Sequence, residues 1–429
     1  MISTPDAAPF LIAAAGYYYS DKDFHTAEKW FERALRLDPL NERTGMNLAV
    51  CMLHTSRLTT ATRDDAQNIV DMVRLNRALH LFWQAAKGPT PIREQALDQH
   101  LQAALLALWL GVLDDGMLGE VAESAHFALL RSPRNVRAAA VIGYNLYRRG
   151  NLLRASRLAQ RFLRQFSAEE IEADFELRPW SQVRCSDAFF NTVDRQPLRI
   201  VDGSSVEFVK LPQGQAPTVL VGCDEGYWRR FGADFLASLF TKTDQMSAHI
   251  HLVNPSRETV LDLCERLDGQ DYRVSVSIEN VDLTSFSPHR QLTYYASARF
   301  PIAYELLTRF GLTVVQCDVD ALFLGNVMTA IPTKAWDVVI ARDFRRRGPM
   351  RDFLAGLMVF NTTDPAIRFL ELTTKYISWH FRNGAGYWTL DQSAPYCVFG
   401  YMQSSGIAPQ AFWFDLHASE IIDFSVKNG

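Results

Sequence analysis

Apolar residues recur at helical spacing from residue 10 to about 166, and Gly and Pro fall between the runs. From residue 218 the pattern changes. Residues 218–222 (TVLVG) form a short apolar run that ends in Cys223, Asp224 and Glu225. A helical stretch over 227–240 follows, then a strand pattern at 249–254, a helix at 257–267 and a strand at 272–278. A helix over 296–309 leads into a β-branched run that opens at Thr313. This alternation predicts an α/β domain with a mostly parallel sheet flanked by helices. Between the two patterns the periodicity weakens, and Arg178-Pro179-Trp180 resists helix continuation. The chain therefore reads as an all-α domain over 1–166, a connector over 167–195 and an α/β domain over 196–429.

In the first domain, Tyr18, Ala27, Phe31, Ala34 and Pro39 stand at spacings that resemble a tetratricopeptide repeat. Ala27 is small where two helices of a hairpin would cross. Phe31 and Ala34 share a face, and Pro39 ends the second helix. Gly143, Leu146, Ala155 and Ala159 repeat the pattern, and Leu105, Leu108, Ala128 and Pro133 do so more weakly. The stretch 42–91 is irregular, with an insertion around 57–65. An array of this kind offers a concave face to an extended protein partner. The same helices could instead brace the second domain or mediate dimerisation. Arg131, Arg134, Arg137, Arg148, Arg149, Arg154 and Arg157 make the end of the array basic, as a solvated face or a strip for an acidic partner.

The chemistry of the second domain starts at 314–325 (VVQCDVDALFLG). Its opening suits a strand buried on both faces. Asp318 and Asp320 follow, and in extended backbone residues two apart point the same way. Both carboxylates are thus expected at the carboxyl end of a strand, where open α/β sheets bind ligands. Two anions beside a core repel each other and resist desolvation, and a divalent cation relieves both penalties. Oxygen donors suit Mg²⁺ or Mn²⁺. An Asp-x-Asp after an apolar strand also resembles a phosphatase of the haloacid-dehalogenase kind, with Asp318 as nucleophile. Lys334 and Lys375 lie downstream, but the acidic Gly-Asp-x-x-x-Asp sequence of that class is missing. No Gly-rich phosphate loop follows the first strand.

Five marks in order resemble a glycosyltransferase of the GT-A fold, close to the family that holds glycogenin and the lipopolysaccharide galactosyltransferases. They are Asp224 with Tyr227 after a strand; Tyr295-x-x-x-Arg299; Asp318-x-Asp320; 356–361 (GLMVFN); and Trp388-x-x-Asp391-Gln392. The resemblance spans most of 218–416, about half the chain. It implies a nucleotide-sugar donor, with UDP as the nucleotide, and a Mn²⁺ or Mg²⁺ ion. Asp224 would accept hydrogen bonds from the base or ribose, and Tyr227 would stack on the base. Arg299 would pair with phosphate or sugar oxygens. Asp320 would hold the metal, and Asp318 the metal or the ribose. Gly356 would let backbone approach the sugar, and Asp391 and Gln392 would face sugar and acceptor. Each has a plainer role too. Asp224 or Asp391 could cap a helix, Tyr227 could be core, Arg299 a surface ion pair and Gly356 a turn. The family's C-terminal histidine motif is absent; the best substitute ligand is His417, two residues after Asp415, whose plainer role is that of a surface or core residue. The basic run 342–351 (RDFRRRGPMR) could close over a diphosphate or stay solvated.

Composition narrows the rest. At 429 residues two domains are expected, and 48% hydrophobic with 21% charged residues is ordinary for a globular chain. A net charge of −4 gives no reason to expect nucleic acid. The six cysteines lack CxxC spacing and read as reduced packing residues. No apolar run reaches the ~18 residues of a membrane span. The N-terminus lacks the basic start and apolar core of a signal peptide, so a cytoplasmic setting is expected. The expected activity is metal-dependent transfer from a nucleotide-sugar, with a protein acceptor delivered by the repeats. The alternatives are a phosphatase or nucleotidyltransferase, or a repeat scaffold with a degenerate transferase domain.

Overall fold

The computed structural model describes residues 7–58, 70–88, 92–110, 112–174, 177–243, 245–268, 273–331, 335–342, 353–415 and 421–423. The chain divides into two compact units, Met1–Asn151 and Leu152–Gly429.

The first unit is helical, with α1 (Ala8–Ser20), α2 (Phe24–Leu37), α3 (Glu42–Thr55), α4 (Met72–Lys87), α5 (Ile92–Leu110), α6 (Asp115–Arg131) and α7 (Val136–Arg148). Five of these start on an Asp or Asn whose side chain accepts an amide of the first turn: Asp23, Asn41, Asp71, Asp114 and Asn135. Such caps satisfy donors that the helix itself leaves open. Ala27, Phe31 and Ala34 are buried on one face of α2, as their spacing predicts. The same helix buries Glu28, which takes the Arg74 guanidinium of α4 at 3.2 Å and the Thr55 hydroxyl of α3 at 2.5 Å. One carboxylate thus ties three helices. The stretch read as irregular holds two full helices, α3 and α4; most of the insertion lies outside the described residues.

The second unit opens with α8 (Leu152–Leu163) and the short α9 (Ala168–Ala173), α10 (Leu177–Gln182) and α11 (Asp187–Val193). Pro179 does not prevent α10. It sits in the first turn, where a missing N–H costs nothing. The strands are β1 (Ser205–Lys210), β2 (Thr218–Asp224), β3 (Ser247–Val253), β4 (Val274–Asn280), β5 (Val314–Cys317), β6 (Leu322–Phe323), β7 (Val338–Arg342), β8 (Leu357–Phe360), β9 (Ala411–Asp415) and β10 (Ile422–Asp423). Eight form one sheet in the order β1-β4-β3-β2-β5-β8-β7-β9, and β10 pairs with β6.

The sheet is mixed. The run β4-β3-β2-β5 is parallel, whereas β1 is an antiparallel edge and β8 is antiparallel to both β5 and β7. The prediction of parallel order holds where strands alternate with helices and fails where β8 returns beside β5. The helices are α12 (Glu225–Lys242), α13 (Arg257–Asp268), α14 (Pro288–Ser297), α15 (Arg299–Phe310), α16 (Val327–Ala330), α17 (Asp364–Arg382) and α18 (Leu390–Ser404). The single helix expected over 296–309 is two. Pro301 lacks an N–H, and its ring would clash with the carbonyl of residue 297, where α14 stops. The break makes Arg299 the first residue of α15. One apolar core runs through Val219, Val221, Val315, Cys317, Val319 and Phe414.

Candidate active site

Strands β2 and β5 are parallel neighbours, yet β3 and β4 come between them in sequence and lie on the far side of β2. The chain therefore changes direction across the sheet between β2 and β5. A crevice at the carboxyl ends of such strands is the usual ligand position of open α/β sheets. Asp224 ends β2, and Asp318 follows β5.

Backbone geometry at 318–320 corrects the extended expectation. The Ala321 amide donates to the Asp318 carbonyl at 3.2 Å, which makes a turn. Val319 points into the core, a better place for an isopropyl group than the crevice. The carboxylates consequently differ: Asp318 keeps 27% of its side chain exposed, and Asp320 is only 2% exposed. Leu324, despite its apolar side chain, is half exposed. The Asp318 amide donates to the Gly356 carbonyl at 3.3 Å, so Gly356 anchors this turn through its backbone.

Arg299 binds the crevice together. Its guanidinium is 2% exposed, donates one amino group to Asp318 and places the other 3.4 Å from Asp391. Burial works against its charge, but Asp318 and Asp391 outweigh that and hold the group above its ordinary value. The two acids are not equally served. Asp318 has the closer contact and more water. Asp391 is 13% exposed, and burial, with Asp318 adding to it, pushes its carboxyl up to about 6 against the pull of Arg299.

Asp391 is not the cap of α18. Thr389 holds that position in left-handed backbone at φ +77°, which strains a β-branched residue. Buried Gln182 of α10 secures the turn. Its amide donates to the Tyr387 carbonyl at 2.5 Å, and its oxygen accepts the hydroxyls of Thr389 at 3.4 Å and Ser393 at 3.3 Å. Gln392 lies in the first turn of α18 beside Asp391.

On the opposite side, Asp224 caps α12 by accepting the Tyr227 amide at 2.9 Å, as its plainer role requires. Tyr227 is not core: it is 37% exposed, packs edge-on to Phe231 at 4.7 Å and donates its hydroxyl to Asp320 at 2.6 Å. Burial and Asp320 raise the phenol well above its ordinary value. Tyr295 reaches Asp224 closely enough for that carboxylate to raise its phenol, after burial.

Asp318 and Asp320 offer hard oxygen donors, the class that fits Mg²⁺ or Mn²⁺ with substrate phosphates completing the shell. Among the described residues no group of three or more candidate ligands gathers. His417, Lys334 and residues 343–351 of the basic run lie outside the described residues. Lys375 is engaged on α17 and α11's far end, with Glu371 at 2.6 Å and Asp194 at 3.3 Å. Asp318, the nucleophile of the phosphatase reading, is held by Arg299.

Two residues were missed by sequence reasoning. Gln182 has no local signal, since its partners are about two hundred residues away. Gly222 does have one: a glycine inside an apolar strand marks close backbone approach. A Cβ there would stand 3.2 Å from Arg299 Cβ and 3.5 Å from its nitrogen.

No family model matches this sequence, and no curated protein matches it. Solved structures show low-scoring likenesses. One is the bifunctional glycosyltransferase WbbM in its apo structure, with TM-score 0.31 and 16% identity, covering 47% of this chain and 39% of that one. Another is the apo form of the glycosyltransferase GlyE from Streptococcus pneumoniae TIGR4, with TM-score 0.26 and 15% identity, covering 37% of each chain. A third is the galactosyltransferase LgtC in complex with donor and acceptor sugar analogs, with TM-score 0.32 and 13% identity, covering 46% of this chain and 72% of that one. The matched part is thus under two fifths of the length of the first two. At such scores likeness assigns neither family nor activity. Among the described residues no helix is long and apolar enough to cross a membrane.

Two outcomes follow from this geometry. Gly222→Ala should cost about 1–3 kcal/mol, the range for forcing extra atoms into a packed site. Urea unfolding measures it, and an unchanged midpoint would show that Arg299 does not need the missing Cβ. The second concerns pH. The Asp391 carboxyl is raised from 3.8 unfolded to about 6 folded, so its contribution to stability is full below about pH 4 and lost as pH rises through about 6. Asp391→Asn stays neutral and escapes that loss. Relative to the native chain the variant should gain on the order of 2–3 kcal/mol between pH 4 and pH 7.5. A stability difference that is the same at both pH values would mean Asp391 is not raised.

Proposed function

We propose that this protein is a metal-dependent glycosyltransferase that uses a nucleotide-sugar, with UDP as the nucleotide. The observation that carries this reading is the acidic crevice at the switch between β2 and β5, with a buried guanidinium joining two of its carboxylates. Asp318 and Asp320 would hold Mn²⁺ or Mg²⁺, with His417 as the proposed further ligand. When bound, the cation neutralises charge on the nucleoside diphosphate leaving group. The half-exposed ring of Tyr227 offers a stacking face to the base, and Asp224 an acceptor beside it. Gly356 lets backbone approach the sugar. Asp391 and Gln392 face the sugar and the acceptor. Arg299 orients Asp318 and Asp391 and adds positive charge near the phosphates.

The helical unit would deliver a protein acceptor, in the manner of stacked tetratricopeptide-like hairpins. Residues 152–195 belong with the chemistry under this proposal, because Gln182 supports the turn before Asp391. The setting is cytoplasmic, where such donors are made.

Asp320→Ala should abolish Mn²⁺-dependent binding of UDP while leaving the metal-free melting temperature unchanged or higher. Calorimetry with and without Mn²⁺ reads this out. UDP affinity that keeps its Mn²⁺ dependence in the variant would end the metal assignment. For the acceptor, a chain of residues 152–429, shown to be folded by circular dichroism, should hydrolyse donor slowly but lose transfer to acceptor. Transfer at the full-length rate would confine the helical unit to stability or assembly.

A further inference from the structure

α8 carries a row of charge that neither the crevice nor the core uses. Arg154, Arg157, Arg161 and Arg164 follow one another at intervals of three, four and three residues, the last just past the helix end. All four are exposed. At 100° per residue they fall within an arc of ~80° and a length of ~15 Å. The opposite face is Ala155, Ser156, Ala159, Phe162 and Leu163, all buried. The row therefore runs straight down the outer side of a helix whose apolar face is already committed.

The arrangement is unfavourable for the isolated unit. Three successive like-charge neighbours, each at i+3 or i+4, cost a helix about 0.2–0.5 kcal/mol apiece. Arg154 also lies in the first turn, where the helix dipole favours an acid. Among the described residues, none of the four arginines makes an ion pair, hydrogen bond or ring contact. The carboxylates that follow in α9 are already engaged: Glu170 closes a capping box with Ser167, Glu169 is held by hydrogen bonds in the same first turn, and Glu172 accepts the Ser287 hydroxyl. The whole chain carries −4, so the row opposes the net charge rather than continuing it.

We infer that the outer face of α8 is a docking surface for an acidic helical segment of a partner protein. Charge complementarity selects the sign. The spacing selects the shape, since a second helix with carboxylates at i, i+3, i+7 and i+10 repeats the same rise. A small anion would touch two of these side chains at most, on a convex surface that cannot enclose it. A lipid surface would need an apolar face, and that of α8 is buried. A long polyanion would meet the chain's net negative charge. This surface is independent of the transferase reading and would stand without it.

The test uses the full-length protein and a labelled alanine-based peptide with Glu at i, i+3, i+7 and i+10, followed by fluorescence anisotropy. At about 20 mM salt, where screening is weak over these distances, the striped peptide should bind at least ~10-fold tighter than an isomer with the same glutamates spread around the helix. Combined Arg154→Gln, Arg157→Gln, Arg161→Gln and Arg164→Gln should weaken binding by ~10-fold or more, as expected from the loss of several charge pairs. The matching four-lysine variant should keep most of it, and so separates lost charge from lost fold. Equal binding of the two peptides, or undiminished binding by the glutamine variant, would overturn the inference. So would capture by phosphatidylglycerol vesicles without binding of the striped peptide.

Discussion

A guanidinium taken out of water must be matched by anions, and in this protein that requirement shapes the crevice. Arg299 is 2% exposed. Removing one partner of such a buried pair typically costs about 3–5 kcal/mol, because the other charge is stranded. The need draws together Asp318 after β5, Asp391 in α18 and the first residue of α15. Each arrives by a separate local device. A proline breaks the helix before Arg299. A turn buries Val319 and frees Asp318. A strained threonine, steadied by Gln182, presents Asp391. Gly222 leaves room for the backbone that carries the arginine.

The unequal service of the two carboxylates has a chemical side. Asp318 shares its charge with water and the nearer amino group. Asp391 sits deeper and farther from the arginine, and so is raised to about 6. Groups poised near neutrality are useful for moving protons. The same poise weakens the folded chain as pH rises.

Much of the layout was legible in the sequence because it rests on short-range pattern. The alternation after residue 218 placed β2, α12, β3, α13 and β5 within a few residues of their observed positions. Asp224 was readable as a cap because capping acts over three residues. What escaped depends on distant or subtle causes. The turn at 318–320 departs from extended alternation because Val319 is buried in the core. The split of α14 from α15 follows from Pro301, a local cause that overrides the helical periodicity around it. β1 is a polar antiparallel edge without a strong apolar pattern. The contact of Tyr227 with Asp320 and the clamp by Gln182 join residues remote in sequence, and periodicity carries no information about them.

The pairing of β2 with β5 has a consequence for the order in which the molecule is made. Thr218 meets Val314 only after the intervening chain, about a hundred residues, has been laid down, and closing a loop that long costs entropy before any contact rewards it. β3 joins β2, and β4 joins β3, through connections only a fraction as long. The crevice between the ends of β2 and β5 thus forms only when this long-range pair closes. A chain that has not yet paired β2 with β5 has no crevice between Asp224 and Asp318.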